Sequence, residues 1–108
     1  MNKNSRKSER FTENSTKENL DFIFNDKLGR TLILPHERIK HIYKHPEMQN
    51  KLYLVEITIK ETDFIEEDLN RSKIIYYYKY FKEYRRDVMV VVKINSHGKI
   101  LTAYMVEK

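Results

Sequence analysis

The sequence predicts an α+β domain, with two N-terminal helices packed on a four-stranded antiparallel sheet. Three observations point there. A histidine-rich segment at 36–45 sets Ile39, Ile42 and Tyr43 on one arc of a helix. The second half is dense in aromatic and β-branched residues, as in Tyr76-Tyr77-Tyr78 and Val90-Val91-Val92. Between its last two apolar runs stands Asn95-Ser96-His97-Gly98, a four-residue hairpin turn. Helices followed by a block of strands, without βαβ alternation, is the pattern of an α+β fold.

In chain order, residues 1–19 are nearly all Asn, Ser, Thr, Lys, Arg and Glu, with Phe11 the one large apolar side chain. Such a segment cannot bury enough surface to offset its ordering entropy, and it is expected to be a flexible tail. The folded domain is expected over 20–108. Asp21-Phe22-Ile23-Phe24 and Thr31-Leu32-Ile33-Leu34 flank a turn containing Asp26 and Gly29, which predicts a hairpin. Pro35 opens the histidine helix and Pro46 closes it, because the residue before a proline is biased away from the α region. Residues 49–61 fit two patterns. Tyr53, Val55, Ile57 and Ile59 alternate as a strand would, while Leu52, Val55 and Ile59 share a helical face; a second helix is the reading adopted. Phe64-Ile65, 73–81, 88–94 and 100–106 supply the four strands.

Composition bounds what this domain can do. With 108 residues there is room for one core. The net charge of +5 favours an anionic partner over a cationic one. The chain has no cysteine, which excludes disulfides, thiolate catalysis and cysteine zinc sites. No apolar run nears the roughly 20 residues that span a bilayer, so no membrane association is expected and the cytoplasm is the expected compartment. Charge is also segregated. Between positions 56 and 68 there are six acids and one lysine, whereas between 71 and 99 there are eight bases and two acids. The strand region is therefore expected to carry positive potential interleaved with Tyr76, Tyr77, Tyr78, Tyr80 and Tyr84. Lysine and arginine contact phosphates, and tyrosine rings stack on unpaired bases.

The chemistry concentrates in Arg38-Ile39-Lys40-His41-Ile42-Tyr43-Lys44-His45. At 100° per residue Arg38, His41 and His45 share one polar arc of a helix. Imidazole has an ordinary pKa near 6.5 and exchanges protons near neutrality. His41 and His45 also have the spacing that lets two imidazoles share a zinc ion. Neither His36 nor His97 completes such a set, and Ile42 stands where a zinc protease has its glutamate, so no metal or other cofactor is expected. Metal-free RNA cleavage fits better. It needs a base for the 2′-hydroxyl, an acid for the leaving oxygen, and donors around the phosphorane. His41 or His45 can move the protons. Arg38 with Lys79, Arg85 or Arg86 can hold phosphate, and Thr102 or Tyr104 can donate hydrogen bonds.

The run from His41-Ile42 to His45-Pro46-Glu47-Met48 resembles the phage-type branch of the barnase–EndoU–colicin–RelE (BECR) nuclease superfamily. The same order continues through the tyrosine strand, the valine strand and Ile100-Leu101-Thr102-Ala103-Tyr104, so the resemblance covers about residues 21–106. One departure is Thr62-Asp63, where the resemblance leads one to expect a proline–aspartate pair. The resemblance implies the two-helix, four-stranded fold and a metal-independent ribonuclease, with many relatives being toxins that act on tRNA or ribosome-bound mRNA. Carried over by position, it implies His41 as the helical histidine with His45 beside it, Thr102 and Tyr104 at the end of the sheet, and Lys79 as the base after the tyrosines; on this reading His41 is the main general acid–base and His45 assists or orients it. It also implies an acidic antitoxin or immunity protein as partner. Two other classes compete with a nuclease. One is a non-catalytic nucleic-acid-binding module using the basic, tyrosine-rich sheet. The other is an inert structural or partner-binding domain whose acidic 56–68 segment docks a basic neighbour or covers its own basic sheet.

Overall fold

The computed structural model describes residues 20–107; the tail expected at 1–19 lies outside them. The elements are β1 (Phe22–Asn25), β2 (Thr31–Leu34), α1 (His36–Tyr43), a 3-10 turn (Pro46–Met48), α2 (Leu52–Lys60), β3 (Phe64–Glu67), β4 (Ile74–Phe81), β5 (Arg86–Ile94) and β6 (Gly98–Val106). The α+β class and both helices match the sequence reading. The four-stranded antiparallel sheet does not, and neither do helices that precede every strand. The described chain holds one six-stranded mixed sheet in the order β1-β2-β6-β5-β4-β3. The early hairpin joins it through a parallel pairing of β2 with β6, at Leu32↔Gly98 and Ile33↔Lys99. All other neighbours are antiparallel.

Local chemistry explains the elements that position the rest. In the β1–β2 turn Asp26 Oδ1 accepts the Leu28 and Arg30 amides at 2.9 and 2.7 Å, and Gly29 takes a φ of +90° that a side chain would resist. Pro35 stands at the N-cap of α1 and has no side-chain oxygen to offer, so Asp21 accepts the His36 amide instead, at 3.0 Å. The 49–61 ambiguity resolves as α2, because Leu54, Val55, Thr58 and Ile59 recur at helical spacing and are the buried residues of that helix. Both helices pack on one face of the sheet. There Ile42, Leu54, Val55 and Ile59 meet Leu32, Leu34, Ile75, Tyr77, Val88, Val90, Val92, Ile100 and Ala103 in one core. Among the described residues no helix is long and apolar enough to cross a membrane.

Gly98 lets the hairpin reach β6. A Cβ at this position would lie 2.1 Å from Leu32 Cδ2, a side chain with no exposed surface. Gly98→Ala is therefore expected to destabilise the fold by about 1–3 kcal/mol through overpacking. In urea unfolding this reads as a lower midpoint at unchanged slope. An unchanged midpoint would mean that Leu32 has room to move and that Gly98 does not set the β2–β6 approach.

Candidate functional site

The strands alternate, so the face away from the helices collects Phe64 and Glu66 from β3, and Ile74, Tyr76 and Tyr78 from β4. Met89, Val91 and Lys93 come from β5, and Lys99, Thr102 and Tyr104 from β6. Its apolar centre is Ile74, Met89 and Val91, with Tyr76, Tyr78, Leu101, Tyr104 and Val106 packed around them. The alternation divides the tyrosine run: Tyr76 and Tyr78 lie on this outer face, while Tyr77 is buried beneath the helices.

One register row crosses this face from edge to edge. Phe64 opposes Tyr78, Tyr78 opposes Met89, and Met89 opposes Tyr104. The Phe64 and Tyr78 rings stack at 4.6 Å with 14° between their planes, and half of Phe64 is open to solvent. At the far end His45 stacks on Tyr104, with centroids 4.8 Å apart and 26° between planes. The row thus runs ring, ring, thioether, ring, imidazole. Thr102 opposes Val91 in the neighbouring row, on the same face as Tyr104.

His45 reaches this face because it is not helical. Helix α1 ends at Tyr43, and His45 is extended at φ −89°, ψ 110°, immediately before the Pro46 ring that forbids it the α region. The single helical arc of Arg38, His41 and His45 expected from spacing is thereby corrected: the proline that ends the helix takes the second histidine off it. Beyond Lys99 no strand pairs the outer edge of β6 among the described residues, and the 3-10 segment runs along that edge. Glu47 Oε2 accepts the Met105 amide at 3.2 Å, which satisfies an edge donor and holds the His-Pro-Glu segment against the strand. His41 is exposed on α1 one turn earlier. Arg38 is half-buried, and its Nε is shielded from solvent with no hydrogen-bond partner among the described residues.

The other expected phosphate ligands lie elsewhere. Lys79 opposes Val88 and Arg86 opposes Phe81, which puts both on the helix side of the sheet at the β4–β5 end. Lys79 Nζ is 3.8 Å from Asp63, and Arg86 Nε is 3.4 Å from Glu107. Arg86 lines a cavity of about 280 Å³ with Glu47, Lys51, Tyr84 and Met105. Arg85 is exposed in the β4–β5 turn with a left-handed φ of +55°. His45 and Tyr104 therefore come together, with Thr102 one row away on the same face, whereas Arg38 and His41 stay on α1, which packs on the opposite face, and Lys79, Arg85 and Arg86 lie at the β4–β5 end.

The acidic segment also sits differently from the charge-split expectation. Part of it forms β3 and pairs with the tyrosine strand, so acids and tyrosine hydroxyls meet. Tyr78 donates to Glu66 at 3.0 Å, and burial together with that bond pushes its phenol up to about 12. Tyr76 donates to Asp68, which also holds Arg71 at 3.2 Å. The Tyr76 hydroxyl, with the Asn70 and Arg71 amides, holds the Asp68 carboxyl well below the usual carboxylate range. Among the described residues, Lys93 and Lys99 are the strand cations of the outer face, without an ion pair and directly opposite one another across β5 and β6. Sequence reading singled out neither lysine, and only the register reveals them. Among the described residues no group of three His, Asp or Glu could hold a metal ion. Set against protein-family profiles, curated proteins and solved structures, the chain matches none of them.

Proposed function

We propose that the protein is a metal-independent endoribonuclease whose reaction takes place on the outer face of the sheet, at His45, Tyr104 and Thr102. The observation that carries this reading is the stack of His45 on Tyr104 at the end of the ring row, with Thr102 beside it on β6. A base stacked along the row would leave its ribose and 3′-phosphate over the imidazole and the two hydroxyls. One histidine takes the proton of the 2′-hydroxyl as that oxygen bonds to phosphorus. The bond from phosphorus to the 5′-oxygen breaks, and a second group returns a proton to the leaving oxygen. His45 is the group against the platform, and His41, one turn earlier and exposed, is the second. Thr102 and Tyr104 donate to the phosphorane oxygens, and Arg38 supplies fixed positive charge from α1. The products carry a 2′,3′-cyclic phosphate and a 5′-hydroxyl.

The same row of rings favours a second reading, a binding module that stacks bases without cutting them, since stacking needs no proton transfer. Incubation of the purified protein with total tRNA and an unstructured RNA in EDTA separates the two. The expected result is discrete fragments with cyclic-phosphate ends. RNA that stays intact at high protein concentration, yet shifts in a native gel, would overturn the nuclease reading in favour of the binding module.

A further inference from the structure

Lys93 and Lys99 face each other across the β5–β6 pair, so their Cβ atoms stand about 5 Å apart on the outer face. Like charges directly opposed in a sheet repel, and neither lysine has an ion pair among the described residues. Two lysines with opposed Cβ atoms and no ion pair can close together on one anion. A third lysine borders them. Lys73 precedes Ile74, which opposes Lys93, and its carbonyl accepts the Ile94 amide at 2.7 Å. Lys73 is exposed and holds a left-handed φ of +66°, a conformation that a long side chain rarely adopts. On the strands of the described outer face the cations are Lys93 and Lys99 alone; the opposite end carries Asp87 in register with Val106, and Asp68 lies on the β4 side, bonded to Tyr76.

The lysine pair lies one register step, roughly 7 Å, from the Tyr76–Val91–Thr102 row, and the ring row follows one step further. An anion at Lys93 and Lys99 is thus spaced from the His45–Tyr104 stack along β6. A polymer that alternates phosphates with flat rings matches this order of features. We infer that the outer face takes single-stranded RNA, with a phosphate further along the same strand seated between Lys93 and Lys99 while a base lies on the ring row. The inference rests on the ribonuclease reading for the choice of RNA. Duplex RNA does not fit, because its bases are already stacked on one another and present no free face to the tyrosines.

The test is binding of a fluorescent single-stranded 2′-O-methyl RNA, which cannot be cleaved, measured by anisotropy at several salt concentrations. Lys93→Ala/Lys99→Ala is expected to weaken binding by about tenfold and to make the log–log salt slope shallower by about 0.7, the value of one single-strand phosphate contact. Lys82→Ala, exposed near the β4–β5 turn, is the control and should bind as wild type does. The double variant should melt no lower than wild type, since it removes a repulsion. Wild-type affinity and slope in the double variant would overturn the lysine site and leave the nuclease reading standing. Equal or tighter binding of a duplex of the same sequence, or of polyglutamate, would overturn the choice of single-stranded RNA. Absence of binding even at low salt would overturn both readings together.

Discussion

Replacing His45 by phenylalanine is expected to lower RNA cleavage by about two orders of magnitude or more while leaving RNA affinity close to wild type. The substitution separates the two things an imidazole can do in this position. A benzyl ring can still lie on Tyr104, so the platform that His45 completes is retained. It cannot take or return a proton. His45→Ala removes both and should weaken binding as well as cleavage. Single-turnover cleavage of a labelled RNA, read beside anisotropy with an uncleavable analogue, gives both numbers from one preparation. Cleavage by His45→Phe at the wild-type rate would take His45 out of the proton transfers and leave them to His41.

Much of the fold was legible because local chemistry decided it. The hairpin followed from Asp26 and Gly29, the end of α1 from Pro46, and β5 from a valine-rich run. The six-stranded mixed sheet was not legible, for a physical reason. The β2–β6 pairing joins residues far apart in sequence, and its one local trace is Gly98, which reads equally well as the last residue of a turn. A glycine needed both to turn a chain and to admit Leu32 gives a single signal for two requirements. α2 was ambiguous because its apolar residues satisfy both periods, and packing against the sheet, which no local rule contains, selected the helical one.

The site was legible in its parts and not in its assembly. His41, His45, Thr102 and Tyr104 stand out as residues, with His41 expected as the main acid–base group, and the resemblance set them in one site. The stack of His45 on Tyr104 depends on His45 leaving the helix and on β6 having, beyond Lys99, an edge that no described strand pairs and that the His-Pro-Glu segment follows. Lys79 looked equivalent to any other base after the tyrosines, yet a strand places successive residues on opposite faces, and Lys79 follows Tyr77 to the helix side. The same parity rule hides Lys93 and Lys99 in the sequence, since each is an isolated lysine until the register opposes them. Net charge pointed to the strands as a whole. The acidic β3 neutralises one side of that face and leaves the positive end on the other.

Asp26→Ala is expected to cost about 3–5 kcal/mol of stability, because it strips a buried charged hub of its partners. The Asp26 side chain is fully shielded from solvent. Its Oδ1 takes two backbone amides of the β1–β2 turn, and its Oδ2 takes the Tyr77 hydroxyl and pairs with Arg30 Nε at 3.3 Å. One carboxylate therefore shapes the hairpin and pins it to β4 across the core. Without it, the Tyr77 hydroxyl is buried with no acceptor and Arg30 loses its counter-charge. At roughly 4–8 °C per kcal/mol for a domain of this size, the melting temperature should fall by at least about 12 °C. Tyr77→Phe should cost much less, since Asp26 keeps its two amides and Arg30. Burial, and then the bond to Asp26, hold the Tyr77 phenol well above its ordinary 10.0, so it stays protonated in the folded protein where the unfolded chain would ionise. That contribution is complete below pH 10 and declines as pH rises beyond it. Wild type should therefore lose stability more steeply than Tyr77→Phe in alkaline melts. Parallel alkaline curves for the two proteins, or a melting temperature for Asp26→Ala within a few degrees of wild type, would show that the hairpin is held by its apolar contacts alone.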